Sequence, residues 1–274
     1  MKNFYITTLF HQGSGKQNED QLLVNDPVFA VFDGATSLTP YTNEKGESGG
    51  YLASSIAKET CSTWNGSLKS RFIEANNRID QAMHAAGIDT SDSVNRWGTS
   101  AVAVQIRENE VEWAQIGDSL LIVCYKDGSH RFFVEGYDHD QPTFEEWMRL
   151  KADGKQRITW EDVLPMIQNI RRQTNSTFGM LNGDPRAEQF IHSDTFPLTG
   201  VTDILLFTDG LFFPKENPLA EDDWDAFIAE YKQNGLDGVQ EYVRSREIAD
   251  SYCQKYPRLK QHDDIGAIAM SSPT

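Results

Sequence analysis

The stretch Val28-Phe-Ala-Val-Phe-Asp33-Gly34 decides how the rest of the chain is read. Pro27 to Phe32 is an unbroken run of β-branched, aromatic and small apolar residues, the composition of a strand covered on both faces. It ends on a carboxylate followed by glycine. A second run ends the same way: Asp203-Ile-Leu-Leu-Phe-Thr208 leads into Asp209-Gly210. Working outward, more acids stand at strand ends. Glu19-Asp20 precede the short strand Gln21 to Val24, Asp118 follows Gly117 in a tight turn between two strands, and Asp263-Asp264 precede the last strand, Ile265 to Met270. Acids at the ends of apolar strands are pinned by the sheet, so several can converge at one sheet edge. Converging carboxylates repel unless a cation lies between them. Oxygen-only donors suit Mg²⁺ or Mn²⁺, not zinc. Asp-Gly is also a common turn dipeptide, and Asp127-Gly128 is read as only that.

Around these acids the patterning predicts strands over Phe4 to Phe10, Thr99 to Ile106, Glu110 to Ile116, Leu120 to Lys126 and His130 to Val134. It predicts helices over Gly46 to Thr60, Leu68 to Ala86, Glu221 to Gln233 and Val239 to Lys255. Strands grouped in blocks, with helices in other blocks, argue for an α+β layering rather than alternating βαβ units. There is no repeat, low-complexity tract or Pro/Ser-rich linker, which favours a single domain over residues 1–274. Asp138 to Thr177 is polar, carries Trp147 and Trp160 among helical patches, and reads as an inserted flap.

Charge and cysteines narrow the function classes. The chain has 41 acidic and 25 basic side chains, a formal net charge of −16. That balance excludes electrostatically driven binding to nucleic acid or to an anionic membrane surface, and any phosphate chemistry then needs a cation as intermediary. Cys61, Cys124 and Cys253 lie too far apart in sequence for a disulfide framework or a CxxC pair. The first ten residues carry one lysine and no long apolar core, and the longest apolar run, Leu120 to Tyr125, is too short to cross a bilayer. A cytoplasmic protein is expected, with Asn65-Gly-Ser67 and Asn175-Ser-Thr177 as chance glycosylation patterns.

Asn18-Glu-Asp20, Val28 to Gly34, Trp97-Gly-Thr-Ser100, Ile116-Gly-Asp-Ser119, Leu205-Leu-Phe-Thr-Asp-Gly210 and His262-Asp-Asp-Ile265 follow one another at spacings that resemble the metal-dependent protein phosphatases of the protein phosphatase 2C (PP2C) type. Phe178-Gly-Met-Leu-Asn-Gly183 resembles the stretch that follows the flap in bacterial members. The resemblance spans nearly the whole chain. It implies two packed antiparallel sheets flanked by helices, an αββα sandwich with a two-metal site at one end. It implies hydrolysis of phosphoserine and phosphothreonine in a phosphorylated protein substrate by a metal-bridging water, with two Mg²⁺ or Mn²⁺ ions clamping the phosphoryl oxygens. Carried over, Asp33 would bridge both ions, with Glu19 and the Gly34 carbonyl completing one and Asp209 and Asp263 holding the other. Asp20 would orient water, and Asp118 would help hold a third ion.

The chain departs from that family at three places. Where the family has an Arg five residues before the Asp of Asn-Glu-Asp stands Gly15, beside Lys16, which is taken as a substitute without the bidentate fork. Ala35 follows Asp33-Gly34 where many members carry a His that protonates the leaving group. Aryl phosphates should therefore be handled better, relative to phosphoserine, than in members with the His. Phe213 stands where the family has a further Asp, and Leu120 follows Gly-Asp-Ser in place of Arg, so a third metal should be weak or absent. These losses leave a catalytically weak or inactive regulatory module as the alternative, opposed by the retention of Glu19, Asp33, Asp209 and Asp263. Two other readings fail on local context. Gly46-Glu-Ser-Gly-Gly50 lacks the apolar strand a hydrolase elbow needs and reads as a helix start. Asp33 lacks the second Asp of a haloacid-dehalogenase-like phosphatase, since Val31 and Ala35 occupy the places two residues away.

Overall fold

The computed structural model describes residues 4–134 and 139–273. Asp138, the start of the expected flap, and the first three residues of the chain lie outside the described residues. Two antiparallel five-stranded sheets stack face to face. One runs β1 (Tyr5–His11), β10 (Ile265–Ser271), β9 (Val201–Phe207), β6 (Leu120–Tyr125), β7 (His130–Phe132). The other runs β2 (Gln21–Asn25), β3 (Val28–Gly34), β4 (Thr99–Ile106), β5 (Glu110–Ile116), β8 (His192–Pro197). The α+β sandwich expected from the sequence is the fold found.

Strand alternation explains the layering. Side chains on a strand point alternately to opposite faces, and in β3 both faces are buried. Phe29 and Val31 join Val102, Val104, Ile204, Leu206 and Ile268 between the sheets. Ala30 and Phe32 face the other way, onto α1 (Gly49–Thr63) and α2 (Leu68–Ala85). The outer face of the first sheet, including Ile122, Leu205 and Phe207, is covered by Phe227, Tyr231 and Val239 of α5 (Trp224–Ala249). Burying Phe32 alone contributes about 1.5–3 kcal/mol relative to leaving it in water.

Register then brings the acids to one end. Phe207, at the end of β9, pairs with Leu120 at the start of β6 and with Ala267 near the start of β10. Asp209, Asp118 and Asp263 therefore leave the first sheet at a common edge. In the second sheet Phe32 pairs with Gln21, Asp33 with Ser100, and Ala101 with Ile116. So Asp20, Asp33 and the Gly117-Asp118 turn share an edge as well.

Outside the sandwich, α3 (Gln141–Ala152) and α4 (Trp160–Arg172) pack around buried Trp147, Ile158, Val163 and Ile167. Leu38, Cys253 and Leu259 of the main body close that small core. The structure differs from the sequence expectations in local ways. Strand β8 was not expected, because its residues, His-Ser-Asp-Thr-Phe-Pro, are exposed except for Phe196 and show no apolar run. The first helix begins at Gly49 rather than Gly46, since Ser48 caps it by accepting from the Tyr51 amide at 3.2 Å. The two C-terminal helices expected are present, joined end to end within α5 and divided by a kink at Gly235, whose φ of 71° is left-handed, but they start at Trp224 and end at Ala249. Among the described residues no helix is long and apolar enough to cross a membrane.

Candidate active site

Each acid reaches the shared edge by a different local device. Asp33 is the penultimate residue of β3, and Gly34 lets the chain pass where no side chain fits. A Cβ there would stand 2.7 Å from the Gly50 carbonyl oxygen and closer still to that of Glu19. Asp209 opens a 3₁₀ turn, Asp209–Leu211, directly after β9, and a Cβ on Gly210 would collide with the Asp264 carbonyl. Neither glycine has a positive φ, whereas Gly117 and Gly128 do, at 78° and 88°. So Asp127-Gly128 is the turn dipeptide that the sequence suggests, while Asp33-Gly34 and Asp209-Gly210 are packing arrangements.

The Glu19-Asp20 segment is held by the last strand. Asp264 accepts from the Gly13 and Glu19 amides, both at 2.7 Å. Glu19 itself accepts from the Ser48 hydroxyl and from Thr36 Oγ1 at 3.2 Å. The serine of Gly46-Glu-Ser-Gly-Gly50 thus caps a helix and holds a carboxylate. Asp20 is buried and accepts from Thr208 Oγ1 at 2.8 Å. Asp263 accepts from Lys260 Nζ at 2.6 Å, and its carbonyl accepts from Arg244 at 2.5 Å.

These groups act on one another electrostatically. Burial pushes the Asp33 carboxyl well above its ordinary range, and Asp209, Asp20, Asp118 and Asp263 add to the push in that order. Asp20 is raised by burial, against the Thr208 hydrogen bond, with Asp263, Asp264 and Asp209 adding. Asp209 is raised by burial and by Asp263 and Asp118, and it shares a hydrogen bond with Asp33. Burial also raises Glu19, opposed by Ser48, Lys260 and Thr36. Lys260 is held above its ordinary value, because Asp263, Asp33 and Asp209 outweigh the effect of burial.

Asp33, Gly34, Asp118, Asp209 and Asp263 line one cleft of about 610 Å³. Its walls include apolar Phe144, Trp160, Ile167, Met180 and Trp224. Glu19 and Asp20 do not line it. Lys16 is exposed on the loop before Glu19 and does not line the cleft.

Three cleft residues were missed by sequence reasoning. His139 stacks on Phe178 with ring centroids 4.6 Å apart, and its Nε2 lies 3.6 Å from Asp118 Oδ2 and 3.8 Å from Asp140 Oδ1. Burial pulls its pKa down, but Asp140 and Asp118 leave it raised. Arg171, from α4, and Lys260 line the same cleft. Lys260 stands three residues before Asp263 and His139 next to Asp140, but neither spacing is a motif, and Arg171 is distant in sequence from Asp33, Asp118 and Asp209.

The donor chemistry fits hard divalent cations: several carboxylates and a backbone carbonyl, with no thiolate. As the side chains stand, no three acids, histidines or cysteines among the described residues surround a common point. Ser48 and Lys260 occupy Glu19 and Asp263, so ion binding would exchange those bonds for coordination.

The family profile described as Protein phosphatase 2C matches residues 4–171. The chain belongs to the protein phosphatase 2C family. A relative in Arabidopsis thaliana, "Probable protein phosphatase 2C 35", is 29% identical over 136 residues, a match covering 49% of this chain and 36% of that protein. The chain thus spans about a third of the length of that curated relative. Among solved structures, the serine/threonine phosphatase PstP/Ppp of Mycobacterium tuberculosis superposes with a TM-score of 0.57 at 15% identity, covering 99% of each chain. The catalytic domain of the phosphatase PstP in complex with 2 manganese ions gives 0.57 at 14%, again over 99% of each. Both share the αββα fold.

Within this family member, Phe213 stacks on Tyr242 at 3.9 Å and packs against Phe227, so an aromatic contact with α5 occupies the place of the family's further Asp. Leu120 lines the cleft beside Asp118. Ala35 packs with Met166, Ile170, Phe178 and Met180, which ties α4 to the residue next to Gly34.

Proposed function

We propose that the chain is a metal-dependent phosphatase acting on phosphoserine and phosphothreonine in proteins. The observation that carries this reading is the meeting of Asp33, Asp118, Asp209 and Asp263, brought from separate strand ends into one cleft, where burial and mutual repulsion drive Asp33 and Asp209 toward the neutral form. Such a site costs the fold stability unless it holds cations. Family membership supports the activity, and the manganese in the PstP structure supports the choice of ion.

Glu19, Asp33, the Gly34 carbonyl, Asp209 and Asp263 would hold two Mg²⁺ or Mn²⁺ ions, and Asp118 a weaker third. Bound there, the ions supply an acidified water and a positive clamp on the phosphoryl oxygens. The chain's own part is to hold these acids rigidly and to exclude bulk water with the apolar walls. Asp20, fixed by Thr208, would orient water bound in the site. Lys16, exposed and not lining the cleft, would meet the substrate only outside it. Ala35 offers no proton to a departing serine alkoxide. The chain is taken as one domain over residues 1–274, in which α3 and α4 form the flap that bears on substrate choice.

Hydrolysis of p-nitrophenyl phosphate with Mn²⁺ or Mg²⁺, with and without EDTA, tests the reading. We expect metal-dependent turnover that Asp33→Asn and Asp209→Asn each reduce by at least about 100-fold, since several kcal/mol of charge stabilisation is lost. Turnover absent with every ion, or unchanged in both variants, would overturn it.

A further inference from the structure

The cleft needs positive groups of its own if an anionic phosphate is to enter among so many carboxylates. Most cations that line it are already engaged. Lys260 is 2.6 Å from Asp263, Lys215 is 3.0 Å from Asp222, Arg258 is 3.1 Å from Asp250, and His139 lies between Asp118 and Asp140. Arg171 is different. Its side chain makes no hydrogen bond or ion pair within 4.0 Å with another described residue, yet it lines the cleft beside the acids. A guanidinium drawn from water without a partner is costly. Arg171 is held there by its helix.

Trp160, Ile167 and Arg171 all line the cleft from α4, and their spacing of seven and four places them on one helical face. The neighbouring Ile170 packs in the cluster that contains Ala35, the residue after Asp33-Gly34. Arg171 thereby lines the cleft beside the end of β3, and the charges that act on it are those of Asp140 first, then Asp118 and Glu19. Arg is the side chain suited to a tetrahedral anion, because its planar fork donates two parallel N–H bonds to a pair of oxygens.

We propose that Arg171 binds the phosphoryl oxygens of the substrate, as the anion-recognising group delivered to the metal-binding acids by helix α4. This rests on the phosphatase reading and adds to it the residue that selects phosphate. The loop before Glu19 supplies no such fork, since Gly15 has no side chain and Lys16 is exposed away from the cleft.

The test is calorimetric binding of inorganic phosphate to the Mn²⁺-loaded full chain, with Arg171→Ala, Arg171→Lys and, as control, Arg172→Ala, whose side chain pairs with Asp92 at 3.1 Å outside the cleft. Arg171→Ala should weaken phosphate binding by about 10- to 100-fold, the range for a lost charged hydrogen-bonding group. It should raise KM for p-nitrophenyl phosphate and leave Mn²⁺ affinity unchanged. Arg171→Lys should fall between, since an ammonium is a point charge without the fork, and Arg172→Ala should match the parent. Phosphate binding within about twofold of the parent in Arg171→Ala, with Mn²⁺ still bound, overturns the proposal and leaves the phosphatase reading intact. Equal loss in Arg172→Ala, or joint loss of Mn²⁺ binding in Arg171→Ala, makes the role structural and also overturns it. A parent chain that neither binds Mn²⁺ nor hydrolyses the aryl phosphate removes the phosphatase reading itself.

Discussion

At the scale of residues, the two Asp-Gly pairs of the site differ from the one in the β6–β7 hairpin by what surrounds the glycine. Gly34 sits against two backbone carbonyls, while Gly128 has open space and a left-handed φ of 88°. Gly34→Ala should therefore cost about 1–3 kcal/mol through overpacking and displace Glu19, with loss of turnover. Gly128→Ala should cost about 1–2 kcal/mol from its backbone conformation and leave turnover intact. Thermal unfolding and p-nitrophenyl phosphate assays on both variants check this, and equal activity losses would count against the packing account. Ala35 invites a second substitution. A proton donor next to Gly34 helps a serine alkoxide leave more than it helps a nitrophenolate, and general-acid help is worth roughly 10²–10⁴-fold. Ala35→His should raise kcat for a phosphoserine peptide by at least about tenfold relative to the aryl phosphate. An unchanged ratio between the two substrates would show that position 35 does not set leaving-group preference.

Among the elements, strands and helices with apolar faces were readable, and elements lacking them were not. β3 and β9 announce themselves as continuous apolar runs because both of their faces are covered. β8 escapes notice because Phe196 is its sole buried residue, so its pairing with β5 depends on backbone hydrogen bonds that composition does not encode. The α3–α4 pair lies between: Trp147 marked a helical patch, but nothing in the pattern said where the pair would dock. Its small core predicts that Trp147→Ala, by removing a side chain that is 2% exposed, costs about 3–5 kcal/mol and loosens this pair first. Hydrogen exchange should then speed up across residues 141–172 while the strands of the sandwich keep their protection. Uniform acceleration through the sheets would mean that the pair is integral to the main core.

The whole molecule carries a charge of −16, and part of that excess is concentrated where it opposes folding. A carboxyl in the unfolded chain loses its proton near about pH 4, whereas Asp20, Asp33 and Asp209 hold theirs to higher pH in the metal-free fold. Between those limits the folded state binds more protons, so its stability falls as pH rises. The Tm of EDTA-treated protein should therefore drop between about pH 5 and about pH 8. Added Mn²⁺ should restore it, by more at the higher pH, since the ion binds only the native state and only its ionised acids. A metal-free Tm that rises over that interval would contradict the placement of these acids. By itself the sequence determined the apolar strands, the acids at their ends and an α+β layering, because strand periodicity and local spacing are written in neighbouring residues, while the sandwich and its two-metal edge came from the order of motifs that resembles the family. Only the tertiary structure decided that His139, Arg171 and Lys260 face those acids and that Lys16 does not line the cleft. Those placements depend on how α4 docks and how the loop before β10 folds back, bringing Arg171 and Lys260 into one cleft with Asp33 and Asp209, which no local pattern records.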